Sequence, residues 1–102
     1  MKISGYIILT FVFQEHRKHW EAYCKELGTA TFGHSFRDAK EKLEDAVLCH
    51  LNTLEEVGER TRFFREHNIH FYREKIKCRE TAVKAPVDNK TYVQSHLQPV
   101  YA

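Results

Sequence analysis

The chain is 102 residues long, 42% apolar and 29% charged, with a formal net charge of +2 when histidine is neutral. These values fit one globular domain with a core of its own and exclude a wholly disordered chain. So small a positive excess gives no argument for nucleic acid by itself, although the seven histidines would raise it in mild acid.

Residues 3–13 form an apolar run in which Ile7, Leu9, Phe11 and Phe13 alternate with Tyr6, Ile8, Thr10 and Val12. The run is too short to cross a bilayer and no small-residue cleavage site follows it, so it reads as a strand of a soluble, cytoplasmic protein. Both of its faces are apolar, which predicts a cover on each. The polar stretch 14–18 makes a turn. Residues 19–27 read as a second strand, with Trp20, Ala22 and Cys24 on one side and Glu21, Tyr23 and Lys25 on the other. Gly28 interrupts, and 29–34 forms a short third strand. Short links make these three an antiparallel meander.

Residues 35–58 carry Phe36, Ala39, Leu43, Ala46, Val47, Leu51, Leu54 and Val57 at three- and four-residue spacing, one apolar stripe along a helix. Ser35 is placed to cap its start, Asp38 to close the capping box, and Gly58 to stop it in the left-handed conformation. Arg37, Lys40, Glu41, Lys42, Glu44 and Asp45 fill the opposite face. A helix of that length with one wet face needs a sheet to lie on. A second, shorter helix follows over 59–67, with Arg60, Phe63, Phe64 and His67 on one side and Asn68 as a left-handed stop. Residues 69–73 then read as a fourth strand. A right-handed crossover places it parallel to the first. The predicted fold is α+β, β-β-β-α-(α)-β, with strand order 3-2-1-4 and one long helix packed on one face. It occupies residues 1–74. Residues 75–102 form an extended tail with turn chemistry at 85–89, and 91–101 are either a disordered end or an edge strand on this sheet or a partner's.

Residues 20–33 (WEAYCKELGTATFG), then Ser35, Ala39, Leu43, Ala46 and the run LNTLEEVG at 51–58, resemble the HicB-like antitoxin family. The likeness continues through Phe63 and Phe64 to Tyr72. It implies a partial ribonuclease-H-like fold that inhibits a small mRNA-cleaving toxin of the HicA type, usually made alongside it. Family members commonly add a DNA-binding helix-turn-helix or ribbon-helix-helix segment. Here the tail after Arg73 is too short and too extended for two helices, so the resemblance does not carry operon repression over. The family's proline-containing CPxLPGC motif is replaced by CKELGTA at 24–30, which alters the turn or the partner surface.

Little in the chain points to a reaction centre. A working ribonuclease-H site needs acids converging from the first strand, the helix and a later strand to hold two metals. Neither 2–14 nor 69–73 contains an Asp or Glu. His16-x-x-His19 and His67-x-x-His70 have spacings seen in zinc sites and Cys49-His50 adds two possible ligands, but nothing in the chain gathers them, and no cofactor is expected. Cys24, Cys49 and Cys78 write neither a disulfide framework nor a CxxC pair, so buried thiols in a reducing compartment are expected. The first reading is therefore a non-catalytic antitoxin and homodimer that presents its sheet to a toxin, with Tyr23, Lys25 and Thr31 as exposed sheet positions. The alternative is a stand-alone RNA-binding module using Arg60, Arg62, Arg65, Arg73 and Lys75, interleaved with Phe64, Phe71 and Tyr72 but diluted by Glu59, Glu66, Glu74 and Glu80.

Overall fold

β1 (Ile3–Glu15) is the longest strand, 13 residues, and the other elements are arranged against it. The structure is a computed structural model that describes residues 2–85 and 90–101. β2 (Trp20–Cys24) and β3 (Thr29–Gly33) follow as an antiparallel meander, with Phe13 opposite Ala22 and Ala22 opposite Thr31. Helices α1 (Phe36–Glu56) and α2 (Arg60–Glu66) come next, and β4 (Val83–Lys84) and β5 (Thr91–Tyr101) complete the sheet. Its order is β3-β2-β1-β5-β4, antiparallel throughout. Of the turn expected over 85–89, all but Ala85 lies outside the described residues. No helix among the described residues is long and apolar enough to cross a membrane.

The class is α+β, but two expectations are overturned. Residues 69–73 are not a fourth strand parallel to the first. They make one antiparallel bridge, Tyr6 N–H to Tyr72 C=O at 2.7 Å and the return bond at 2.8 Å. The place beside β1 belongs to β5, paired antiparallel from Ile3–Tyr101 to Gln14–Thr91. β5 offers 11 residues of ladder. The shorter segment buries Ile69 in the core instead, and half-buried Phe71 packs against its edge. Nor does one long helix cover the sheet alone. α1 packs over β2 and β3, while α2 and the segment after it bring Phe64, Ile69 and Phe71 to the core.

The helix ends follow from local chemistry. Ser35 has an extended backbone, and its Oγ accepts the Asp38 N–H at 3.0 Å. The Asp38 carboxylate reaches back one residue further than a standard capping box, accepting the His34 N–H at 3.0 Å. At the other end Glu59 N–H donates to Leu54 C=O and Gly58 N–H to Glu55 C=O, with Gly58 at φ 71°. That is a Schellman stop, which needs a residue tolerant of the left-handed region. α2 ends the same way: Ile69 N–H donates to Phe64 C=O and Asn68 N–H to Arg65 C=O, with Asn68 at φ 54°. The buried pair Phe64 and Ile69 supplies the apolar contact that accompanies the motif.

One face of the sheet holds the core. Ile7, Leu9, Phe11 and Phe13 of β1 and Ala22 and Cys24 of β2 meet Ala39, Leu43, Val47 and Leu51 of α1, all buried. Truncating one such leucine costs about 2–5 kcal/mol in comparable cores. At the far end Phe36 packs on Phe13 at 4.3 Å and on Trp20 at 5.5 Å between ring centroids. α1 approaches β3 so closely that a Cβ on Gly33 would lie 2.4 Å from the Ala39 nitrogen, and Thr31 Oγ donates to Ala39 C=O at 3.1 Å. β2 is much shorter than β1, and Glu26 takes over where it stops. Its carboxylate accepts the Thr10 N–H at 2.7 Å and the Thr10 hydroxyl at 2.8 Å, standing in for the missing strand.

Candidate docking face

β5 is turned against its own hydrophobic pattern. Its register with β1 sets Gln98 opposite Ile7, His96 opposite Leu9 and Gln94 opposite Phe11, all on the core side. Val93, Leu97 and Pro99 therefore face outward with Val12, Ile8 and Tyr6 of β1, and the pair Ser95 and Thr10 lies among them. Tyr23 opposite Val12 extends this face across β2, Phe32 opposite Glu21 reaches β3, and Val83 opposite Val93 reaches β4. Tyr23 and Val93 are each 37% exposed and Phe32 is 57% exposed. No element among the described residues covers this side. The second cover that β1's pattern predicts is absent from it.

The polar residues buried instead are held by hydrogen bonds. The His96 ring stacks on Phe11 at 4.4 Å, its Nδ1 lies 3.3 Å from Glu80 Oε1 and its Nε2 lies 2.9 Å from Gln98 Oε1. Glu80 also accepts the Leu97 N–H at 2.6 Å, and its backbone carbonyl accepts Gln94 Nε2 at 2.7 Å. Gln94 Oε1 has no partner among the described residues. Residues around Glu80 thus form a strap that fastens the polar side of β5.

Of the three sheet positions expected from sequence, the structure brings two together. Tyr23 lies on the open face and Lys25 is exposed just beyond the end of β2. Thr31 does not join them: it pairs with Ala22, lies on the helix side and bonds to α1. The strand assignment was right there, but the parity places it inward. Ile8 and Val12 belong to the second apolar face that the alternation of the first strand marks; the residues missed are Val93 and Leu97. Val93 and Leu97 share one parity within 91–101, a signal the sequence carries, but only the partner strand decides which way that parity points.

The basic stretch is divided by ion pairs. Arg60 Nε lies 3.1 Å from Glu55, and Arg60 Nη1 donates to Tyr101 C=O at 2.7 Å. Arg62 pairs with Glu59 at 2.8 Å and with Glu66 at 3.7 Å. Arg65, Arg73 and Lys75 make no ion pair among the described residues, and all are exposed. The histidines are dispersed. His16 stacks on His19 at 4.5 Å, His67 on Phe63 at 3.9 Å, and His50 Nδ1 meets Thr29 Oγ1 at 3.2 Å. All three cysteines are free, Cys24 buried and Cys49 exposed. Burial pushes the Cys24 thiol up to about 11 and raises Cys78 in the same direction.

These features define an α+β protein with one face of its sheet packed and the other mainly apolar and without a covering element among the described residues. No family model matches the chain, and neither curated proteins nor solved structures give a match.

Proposed function

We propose that the chain is a non-catalytic antitoxin of the HicB kind, acting in the cytoplasm, that binds a small mRNA-cleaving toxin through the open face of its sheet. The observation that carries this is the orientation of β5, which buries Gln94, His96 and Gln98 and turns Val93 and Leu97 outward beside Ile8 and Val12. An apolar patch spread over several strands of a soluble domain is the usual mark of a protein contact. The resemblance at residues 20–58 supplies the class of partner, and the three free cysteines suit a reducing compartment.

The test is to co-express the chain with the small basic protein encoded beside it and to assay that protein's RNA cleavage with and without the chain. Val93→Lys and Tyr23→Glu place charge on the open face at half-exposed positions and leave the core alone. Inhibition should weaken about tenfold or more for each, the loss expected when a central interface contact is replaced. Full inhibition by both variants, or no cleaving activity in the neighbour, defeats the proposal. Sedimentation of the complex addresses a second copy as the rival occupant: a homodimer that keeps this face closed in the presence of the toxin also defeats it.

A further inference from the structure

Two grooves adjoin Phe71. One, of about 410 Å³, is lined by Arg60, Thr61, Phe64, Arg65, Ile69 and Phe71. The other, of about 480 Å³, is lined by Ser4, Arg60, Phe71 and Arg73. Arg60 and Phe71 line both; Arg65 lines the first and Arg73 the second. The charges there are unequal in availability. Arg60 is spent on Glu55 and the Tyr101 carbonyl, and Arg62 on Glu59 and Glu66. These pairs also occupy Glu55, Glu59 and Glu66. Glu74, next in sequence to Arg73, lines neither groove. Among the described residues Arg65 and Arg73 make no ion pair, and each lines a groove that Phe71 also lines.

We infer that this surface binds a short single-stranded nucleic acid, with backbone phosphates on Arg65 and Arg73 and a base against Phe71. A guanidinium offers a planar fork of donors that matches phosphate oxygens. An aromatic ring that shares a groove with each fork offers sequence-tolerant stacking. The ring is already fixed: it lies against the backbone of Gly5, where any Cβ would fall 2.3 Å from it, and its centroid is 6.4 Å from that of Phe64. Little conformational freedom is lost when a base arrives. A free anion would use the guanidiniums and ignore the ring, while duplex bases are stacked out of its reach. The inference is independent of the docking role of the open face, on which none of these residues lies.

The experiment is fluorescence anisotropy with the full chain and fluorescein-labelled oligouridylate or oligothymidylate of about eight nucleotides, within the span of known single-strand sites. Two phosphate contacts predict a salt slope of about −1.4, so affinity should fall about sevenfold between 50 and 200 mM salt. Arg65→Ala with Arg73→Ala should flatten that slope and weaken low-salt binding about tenfold or more, while Arg62→Ala leaves both unchanged. Circular dichroism of each variant checks that the exposed substitutions leave the fold intact. Binding of the RNA strand, the DNA strand or both supports the inference and identifies the source. No binding of either strand, unchanged binding by the double variant, or equally tight binding of a duplex overturns it.

Discussion

Cys24 shows how burial sets chemistry at a single side chain. Its thiol is fully enclosed, and loss of water raises its pKa from 9.0 to about 11, against the pull of the Leu27 backbone N–H. The sign follows directly. Below pH 9 the thiol is neutral in both folded and unfolded chains. Between about 9 and 11 the unfolded chain ionises while the folded one does not, so stability falls as pH rises through that window, by about 1.4 kcal/mol per pH unit at most. Chemical denaturation at pH 8 and pH 10.5 should show that loss, and Cys24→Ala should reduce it. The same burial makes the thiol inert. A thiol reagent at pH 8 should label exposed Cys49 quickly and reach Cys24 only when the chain unfolds. Rapid labelling of Cys24 in the native protein would contradict the packing described.

The start of α1 depends on a few short-range bonds. Ser35→Ala removes the acceptor for the Asp38 N–H and should cost about 1 kcal/mol in urea denaturation, with Ser35→Asn largely restoring it. Asp38 is held below the usual carboxylate range, first by the His34 N–H and then by Lys42. Its contribution is complete above the unfolded carboxylate pKa and is lost as pH falls through the lower folded value. Asp38→Asn should abolish that acid-dependent part. These local devices were legible: Ser35 and Asp38 mark one end of the helix, and Gly58 and Asn68 stand at the left-handed stops. The alternation of β1 also announced a strand with two apolar faces. What was not legible was pairing. Residues 69–73 and 91–101 are both extended in character, and nothing local to either shows which will lie beside β1. The error at Thr31 and the omission of Val93 and Leu97 have one root, since alternation gives two faces and only tertiary packing says which is inside.

At the scale of the whole molecule, the two sides of the sheet have different tasks. One side is closed by α1, α2 and the segment reaching Phe71, and its rim carries the Arg65–Arg73 surface. The other is an apolar floor without a lid among the described residues. The ladder between β1 and β5 joins them and ties the two ends of the described chain: Ile3 pairs with Tyr101, and Ser4 Oγ donates to Val100 C=O across 96 positions. Closing such a loop is entropically costly before any bond rewards it. Stopped-flow refolding should therefore be slow for a chain of this size, in the millisecond-to-second range typical of proteins dominated by distant pairings. Microsecond refolding would mean that the meander and α1 are stable without β5.

That same ladder bears on how the protein is made. β1 emerges from the ribosome well before β5, and at about 5–20 residues per second the wait is roughly 5–20 seconds. Throughout it, one of the stickiest strands of the chain is bare along the edge that β5 will occupy. A newborn chain in that condition invites a guardian, and a binding protein that seizes the outer floor early would shelter it while the last strand is still being translated.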